Sequence, residues 1–507
     1  MLTGRVLPLS AIIITKAAHR SSSTSIPSSL KMTELCLDIT AKLRFNDERR
    51  NLASERSWEL NASLVRVEMN HEKYMKSPSS ENALKIEEDA LEKLVIETVL
   101  SADYYNNIVR EMKMRTDDEK PHPRAPRLDS ISSKIEDFAK YKSLQHYLKH
   151  ACLISPTMFV VKDGDIERSI VTDEEYLAGA CIGLCHELVH YSISRASSAG
   201  IDPTVVADIQ KARDIVAKIF EELLQFDFRN SPLRRKYDST KYALKSLETI
   251  LYELSVAKVL GGSEVKKVKL DEREGDAEMA TKEDDAIPKD EFAAIRARME
   301  HRDQLRERLI KTCRDGQKAA KQSIFALHRG DTQKALKLLS DCEQCVTNDL
   351  MPILYEEPDL RGGSFSGVLE EYVEAYLFYS WLQNEEEGKQ KEPSGKVLGF
   401  ASLPLLVSPE EYLGGLCDLS GEIGRYAVAK GTHRDKKSVQ LCLDTNKGIY
   451  NSLRLIGRLP SFIFKKKSAL KMSVEKLERM MYELSLMEMT GREYTSNLES
   501  NAQADDE

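Results

Sequence analysis

Glycine and proline are both scarce in this chain, with 24 and 16 among 507 residues. That scarcity excludes collagen-like and turn-rich β architectures, and together with 31% charged residues it points to long solvated helices. No apolar run approaches the length of a membrane span; the longest, around LSAIIIT near the start, has about seven residues. Cysteines number nine, an odd count scattered along the chain, and only Cys342 and Cys345 form a C-x-x-C pair with no second pair at zinc-ribbon spacing. Free thiols in a reducing compartment follow, and a disulfide scaffold is excluded. Period-two strand patterns bounded by Asn-Gly or Asp-Gly turns are essentially absent.

What is present is charge of uneven distribution. The net charge is −8, yet Asp271 to Asp290 alone carries nine acids against Arg273, Lys282 and Lys289. Glu499, Asp505, Asp506 and Glu507 add four more negative charges. These two stretches exceed the whole deficit, so the acidity resides largely in connectors. The first of them, residues 262–289, reads as a disordered acidic linker. Residues 1–33 have the opposite character: Arg5, Lys16, Arg20 and Lys31, many serines and no acid before Glu34. That composition is presequence-like and raises a mitochondrial address; the alternative is an unstructured extension, with Met32 as a second start.

A repeat organises the remainder. EEYLAGACIGLCHELVHYS from Glu174 and LKSLETILYELSV ending at Val256 recur in order as EEYLGGLCDLSGEIGRYA from Glu410 and VEKLERMMYELSL ending at Leu486. Matched segments at similar separations imply duplicated domains. Apolar residues at i, i+3, i+4 and i+7, such as Leu244, Leu247, Ile250, Leu251 and Leu254, mark amphipathic helices. The fold expected is all-α, with two tandem bundles of about six or seven helices at 34–261 and 290–492, a linker at 262–289 and an acidic tail at 493–507.

Three features carry chemistry. Glu371 and Glu374 are three apart on one helix face, and Asp418 and Glu422 four apart on another. The second pair lies in a stripe of Gly414, Gly415, Asp418, Gly421, Glu422 and Arg425. Three glycines on a helical face each cost up to roughly 1 kcal/mol relative to alanine, so a helix or a ligand must approach that face closely. Basic clusters Arg234, Arg235 and Lys236, and Lys465, Lys466 and Lys467, precede the last long helix of each half, a placement suited to phosphates; the plainer reading is a solvated helix start. Tyr237, Tyr242, Phe462 and Phe464 lie beside them as candidates for base stacking or for the core. No RNA-recognition, KH or zinc-finger signature occurs. His186, Glu187 and His190 spell H-E-x-x-H, the helical zinc-metalloprotease pattern, and define a remote alternative function.

The second half resembles the translin family through RERLIKTCRDGQKAAKQSIFALHR (Arg306 to Arg329), EYVEA (Glu371 to Ala375) and EYLGGLCDLSGEIGRYA (Glu411 to Ala427). These strings are similar to the translin-associated factor X branch, whereas NSPLRRKYDSTKYALKSLETILYELSV (Asn230 to Val256) in the first half is similar to the translin branch. The resemblance implies a fusion of two roles that known members divide between chains. It implies Mg²⁺-dependent endoribonuclease activity in the second half, with Glu371, Glu374 and Asp418 as metal ligands and Glu422 as a fourth catalytic member. It further implies single-stranded RNA and DNA as partners, a homo-oligomeric shell with inward-facing acids, no membrane, a role in RNA processing or silencing, and a cytoplasmic and nuclear location. The alternative from another class is a nucleic-acid-binding or scaffold protein without turnover. In the first half Asp137 and Lys140 align with Glu371 and Glu374, and Ile182 or Gly183 aligns with Asp418, depending on the placement of one extra residue. That half is therefore expected to be non-catalytic, and the extra residue to be absorbed within a helix as a π-bulge.

Overall fold

The structure is a computed structural model of the full chain, and describes residues 28–76, 81–100, 129–163, 166–199, 202–229, 231–260, 286–383, 393–457 and 459–490. Residues 1–27 of the leader, most of the acidic linker and the tail lie outside the described residues, whereas residues 28–33 of the leader form the first turns of a helix. In the first half, α1 (Ser28–Lys76), α2 (Glu81–Leu100) and α3 (Asp129–His150) come first. Helix α4 then runs from Asp173–Glu175 through a π-helical stretch, Tyr176–Gly183, into Leu184–Ala199. Helices α5 (Pro203–Leu223) and α6 (Pro232–Leu260) follow. The second half contains α7 (Lys289–His328), α8 (Thr332–Gln344), α9 (Ser364–Leu382), α10 (Pro409–Thr432), α11 (Lys436–Leu455) and α12 (Ser461–Thr490). The all-α architecture of two tandem halves is thus present, with six helices described in the first half and, counting the short Met351–Glu356, seven in the second.

Local chemistry explains the helix starts. A capping box opens α4, where the Thr172 hydroxyl accepts from the Glu175 amide and the Glu175 carboxylate accepts from the Thr172 amide. Its repeat partner opens α10, where Ser408 and Glu411 exchange the same two bonds at 3.1 and 2.7 Å and Pro409 occupies the first helical position. The π-helical stretch falls where the extra residue was expected. Tyr176 and Glu187 are eleven positions apart, whereas Tyr412 and Glu422 are ten apart on a regular α10. One wide turn absorbs the insertion and restores the helix phase after it.

One short hairpin interrupts the helices. Val160–Asp163 (β1) and Ile166–Ser169 (β2) pair antiparallel with Val160 opposite Ser169. The missed signal was Asp163-Gly164-Asp165, a hairpin-type sequence between two short runs.

The described residues fall into two compact units, one drawn from within Ala41–Tyr379 and Leu405–Gly415, the other from within Met1–Thr40, Ser380–Pro404 and Leu416–Glu507. These units cut across the sequence halves, and the first unit supplies the reason. Ala286, Ile287, Phe292 and Ile295 do not behave as linker and second-domain start; they belong to the core of the first half. The Leu153 amide donates to the Ala286 carbonyl at 3.0 Å, and Ile287, Phe292 and Ile295 are buried among first-half side chains. Phe292 meets Tyr176 edge-on at 6.3 Å and Phe226 at 6.2 Å. Burying an aromatic ring of this size contributes about 1.5–3 kcal/mol, which fastens the start of α7 to the first half. Arg298 caps the contact with a bidentate pair to Asp173 at 2.7 and 2.8 Å, and Arg302 reaches Glu174 at 2.6 Å.

In the second unit, Trp381 is fully buried, donates its indole N–H to the Thr445 hydroxyl at 3.1 Å and packs edge-on against Tyr426. Among the described residues no helix is long and apolar enough to cross a membrane.

Candidate carboxylate sites in the two halves

The repeat can be aligned on contacts as well as on letters. Gly179 and Gly415 stand at the same place in their matched strings. A Cβ on Gly179 would fall 2.2 Å from the Glu136 carbonyl oxygen, and one on Gly415 would fall 2.7 Å from the Glu370 carbonyl oxygen. Hence Glu136 corresponds to Glu370, Asp137 to Glu371 and Lys140 to Glu374. After the wide turn, Glu187 corresponds to Glu422. Two of the three stripe glycines are therefore accounted for by close helix approach: Gly415, and Gly414, whose Cβ would lie 2.6 Å from the Glu370 carboxylate. Gly421 differs, for nothing described lies within 4 Å of the position its Cβ would take.

In the first half, α3, α4 and α6 enclose a cleft of about 210 Å³ lined by Glu136, Asp137, Lys140, Gly183, His186 and Lys236 among others. The Lys140 ammonium lies 3.1 Å from Glu187 and 3.8 Å from Asp137, with its stem laid over Gly183. Lys236 pairs with Glu136. Burial pushes the Glu136 carboxyl above its ordinary range, and Lys236 opposes that shift. Each acid of the cleft thus has an ammonium of the same chain as counter-ion.

His186, Glu187 and His190 form no zinc centre here. The His186 ring is held by the Ser239 hydroxyl at 2.9 Å, and burial, then the neighbouring His190, lowers its affinity for a proton. Glu187 is engaged by Lys140, and His190 is exposed.

In the second half, Glu371 and Glu374 sit on α9. Glu371 is 3.0 Å from the Lys321 ammonium, and Glu374 is buried. Asp418 and Glu422 sit on α10. Asp418 accepts from Lys466 at 2.7 Å, and Glu422, a largely buried carboxylate, lies 3.1 Å from Arg425. Among the described residues no group of three or more His, Cys, Asp or Glu side chains is placed to hold a metal ion. In chemistry the donors fit a hard cation, since Mg²⁺ takes one or two carboxylates and keeps its waters.

The basic clusters divide. Lys236 and Lys466 turn toward carboxylates, and Arg234 lies over the Tyr237 ring with Asp238 3.3 Å away. Arg235 and Lys465 are exposed, and Lys467 lies over the Phe464 ring. Of the aromatic candidates, Tyr237 is core, whereas Tyr242, Phe462 and Phe464 are exposed. Sequence reasoning missed Glu136, Glu370 and Lys321. An acid doublet at the same place in both halves, Glu136-Asp137 and Glu370-Glu371, was the signal for the first two. The cysteines described are all free thiols; burial pushes Cys342 up to about 12, so the C-x-x-C pair is not a reactive one.

Fold and sites define a class: an all-α protein built from two tandem repeats, each with a lysine at the start of its last helix paired to a carboxylate. The sequence model of the Translin family matches residues 56–258 and again 304–488, and the chain belongs to that family. The Translin-associated protein X homolog of Schizosaccharomyces pombe is 26% identical over 219 residues, which cover 40% of this chain and 90% of that relative. Translin-associated protein X of Pongo abelii is 26% identical over 224 residues, covering 38% and 77%. Among solved structures, that of AfC3PO has 23% identity and a TM-score of 0.34 over 39% of this chain and 98% of the other. An AfC3PO complex with duplex RNA has 22% identity and a TM-score of 0.33.

Proposed function

We propose that this protein binds single-stranded RNA and DNA, assembles with further copies of itself, and cleaves RNA in its second half with Mg²⁺ held by Glu371, Glu374 and Asp418, with Glu422 assisting. The observation that carries the reading comes from the first half. There, one ammonium lies between Asp137 and Glu187, the positions equivalent to Glu371 and Glu422. That a single positive charge is shared between these two positions supports a cation at the equivalent place in the second half, where the lysine itself is replaced by Glu374. With an acid in the lysine's place, Glu371 and Glu374 are like-charged neighbours on one helix face, and a cation would offset their repulsion. The similarity to proteins named Translin-associated protein X, alongside the two Translin family matches, supports the same assignment.

A divalent cation bound there would lower the pKa of a water and offset charge developing on the scissile phosphate. The chain's own part is to supply carboxylate oxygens and to meet the strand with Arg235, Lys465 and Lys467. The exposed Phe464 and Tyr242 offer faces for bases. Gly421, open on the same face as Asp418 and Glu422, leaves room for a backbone to approach.

The second reading, nucleic-acid binding without turnover, is favoured by the basic partners that Lys321, Lys466 and Arg425 give to Glu371, Asp418 and Glu422. Cleavage of a labelled single-stranded RNA by the purified full chain decides between them. Mg²⁺-dependent cleavage by the wild type, lost in Asp418→Ala while RNA affinity is retained, supports the nuclease; cleavage that persists in Asp418→Ala removes the site assignment. A wild type that binds without cleaving supports the second reading.

A further inference from the structure

The lysine at the start of the last helix occurs in both halves at one register: Lys236 is sixteen residues before Tyr252, and Lys466 sixteen before Tyr482. In each half it leaves its basic cluster and turns to a carboxylate. Lys466 takes Asp418 at 2.7 Å. In the first half the position matching Asp418 carries no acid, and Lys236 takes Glu136, on the neighbouring helix, instead. The lysine therefore follows the carboxylate available, which marks it as a part of the site and not merely of a basic helix start. Both ammonium groups remain partly exposed, with 28% of the Lys466 side chain and 41% of Lys236 accessible. A strand lying on the cluster can reach them.

We propose that Lys466 is a positioning residue that couples cation loading to nucleic-acid binding. This rests on the reading of Asp418 as a cation ligand. An ammonium and a divalent cation cannot both be closest to one carboxylate without repelling each other, so Lys466 holds down the affinity of Asp418 for a cation. A phosphate on the adjacent Lys465-Lys466-Lys467 surface offers the ammonium an alternative charge-assisted partner. When Lys466 turns to the phosphate, Asp418 is released to the cation. Binding of strand and of cation then become mutually favourable, and by linkage each strengthens the other by the same factor.

The test uses the full chain, Mn²⁺ followed by the loss of its free EPR signal, and a single-stranded deoxyoligonucleotide as a strand lacking the 2′-hydroxyl. Mn²⁺ affinity is measured with and without the strand in wild type, Lys466→Met and Lys466→Arg. In the wild type the strand tightens Mn²⁺ binding by about fivefold or more, the lower end of ordinary coupling. In Lys466→Met, Mn²⁺ binds more tightly without the strand and the strand adds little, while Lys466→Arg preserves most of the coupling. Weaker Mn²⁺ binding in Lys466→Met, or coupling that survives it, overturns the inference and leaves the cation reading intact. A wild type that takes up no Mn²⁺ with or without the strand overturns the cation reading itself. Circular-dichroism melts of each variant separate these outcomes from a failure to fold.

Discussion

A Cβ on Gly179 would stand 2.2 Å from the carbonyl oxygen of Glu136, a distance no folded chain tolerates. The obstacle is backbone, which cannot swing aside, so α3 and α4 would have to part along a buried face. Gly179→Ala should destabilise the protein by about 2–3 kcal/mol, the upper range for overpacking, and Gly415→Ala, 2.7 Å from the Glu370 carbonyl, by a similar amount. Gly421→Ala should do the reverse and raise stability by about 0.5–1 kcal/mol, because its Cβ meets nothing described and alanine is the better helix former. Thermal melts of the three variants check the order. If a strand approaches the open face, the more stable Gly421→Ala protein is also the poorer binder of single-stranded RNA.

The sequence made the architecture legible because helices announce themselves through period 3.6, and a duplication lets one half vouch for the other. The π-helical stretch at Tyr176–Gly183 could be anticipated for the same reason, as one residue more between Tyr176 and Glu187 than between their partners. Pairing across elements was not legible. Lys140 looked like a lost acid, and only its distances to Asp137 and Glu187 reveal that it lies between two carboxylates. Lys466 read as part of a phosphate surface because a run of three lysines gives no indication of which one turns inward. Where the start of α7 packs was illegible on similar grounds. Ile287, Phe292 and Ile295 fit the apolar stripe of α7, and no periodicity tells which half that stripe will face.

Burial of three histidines sets a direction for stability against pH. His71, His146 and His186 all have their proton affinity lowered in the folded protein, chiefly by desolvation of the charged ring. The unfolded chain takes up these protons near 6.5, before the folded protein does. Their stabilising contribution is therefore complete above pH 6.5 and is lost as the pH falls below it. Each contributes a slope of at most about 1.4 kcal/mol per pH unit. Urea midpoints at about pH 7.5 and about pH 5.5 should fall on acidification, and His186→Asn should reduce that fall. A midpoint difference unaltered in His186→Asn would show that its ring titrates alike in both states.

The start of α7 makes the two halves partners within one chain even if the linker between them is severed. Phe292 and Ile295 are buried in the first half, the Ala286 carbonyl accepts from Leu153, and Arg229 reaches across to Asp303 at 3.3 Å and Glu307 at 2.7 Å. A protease site inserted between residues 262 and 285 should yield two fragments that elute together on size exclusion. Exposed ion pairs contribute roughly 0–1 kcal/mol each and weaken with salt, so 1 M salt should not separate the fragments if the apolar contact dominates. Phe292→Ala should separate them or lower the melting temperature of the cut protein, since removing a buried ring costs about 3–5 kcal/mol. Arg298→Ala, which breaks the bidentate pair with Asp173 at the edge of the same contact, should leave them together. The reverse order of effects would make the seam electrostatic, and fragments of the cut wild type that part at low salt would show that the linker alone holds the halves in one chain.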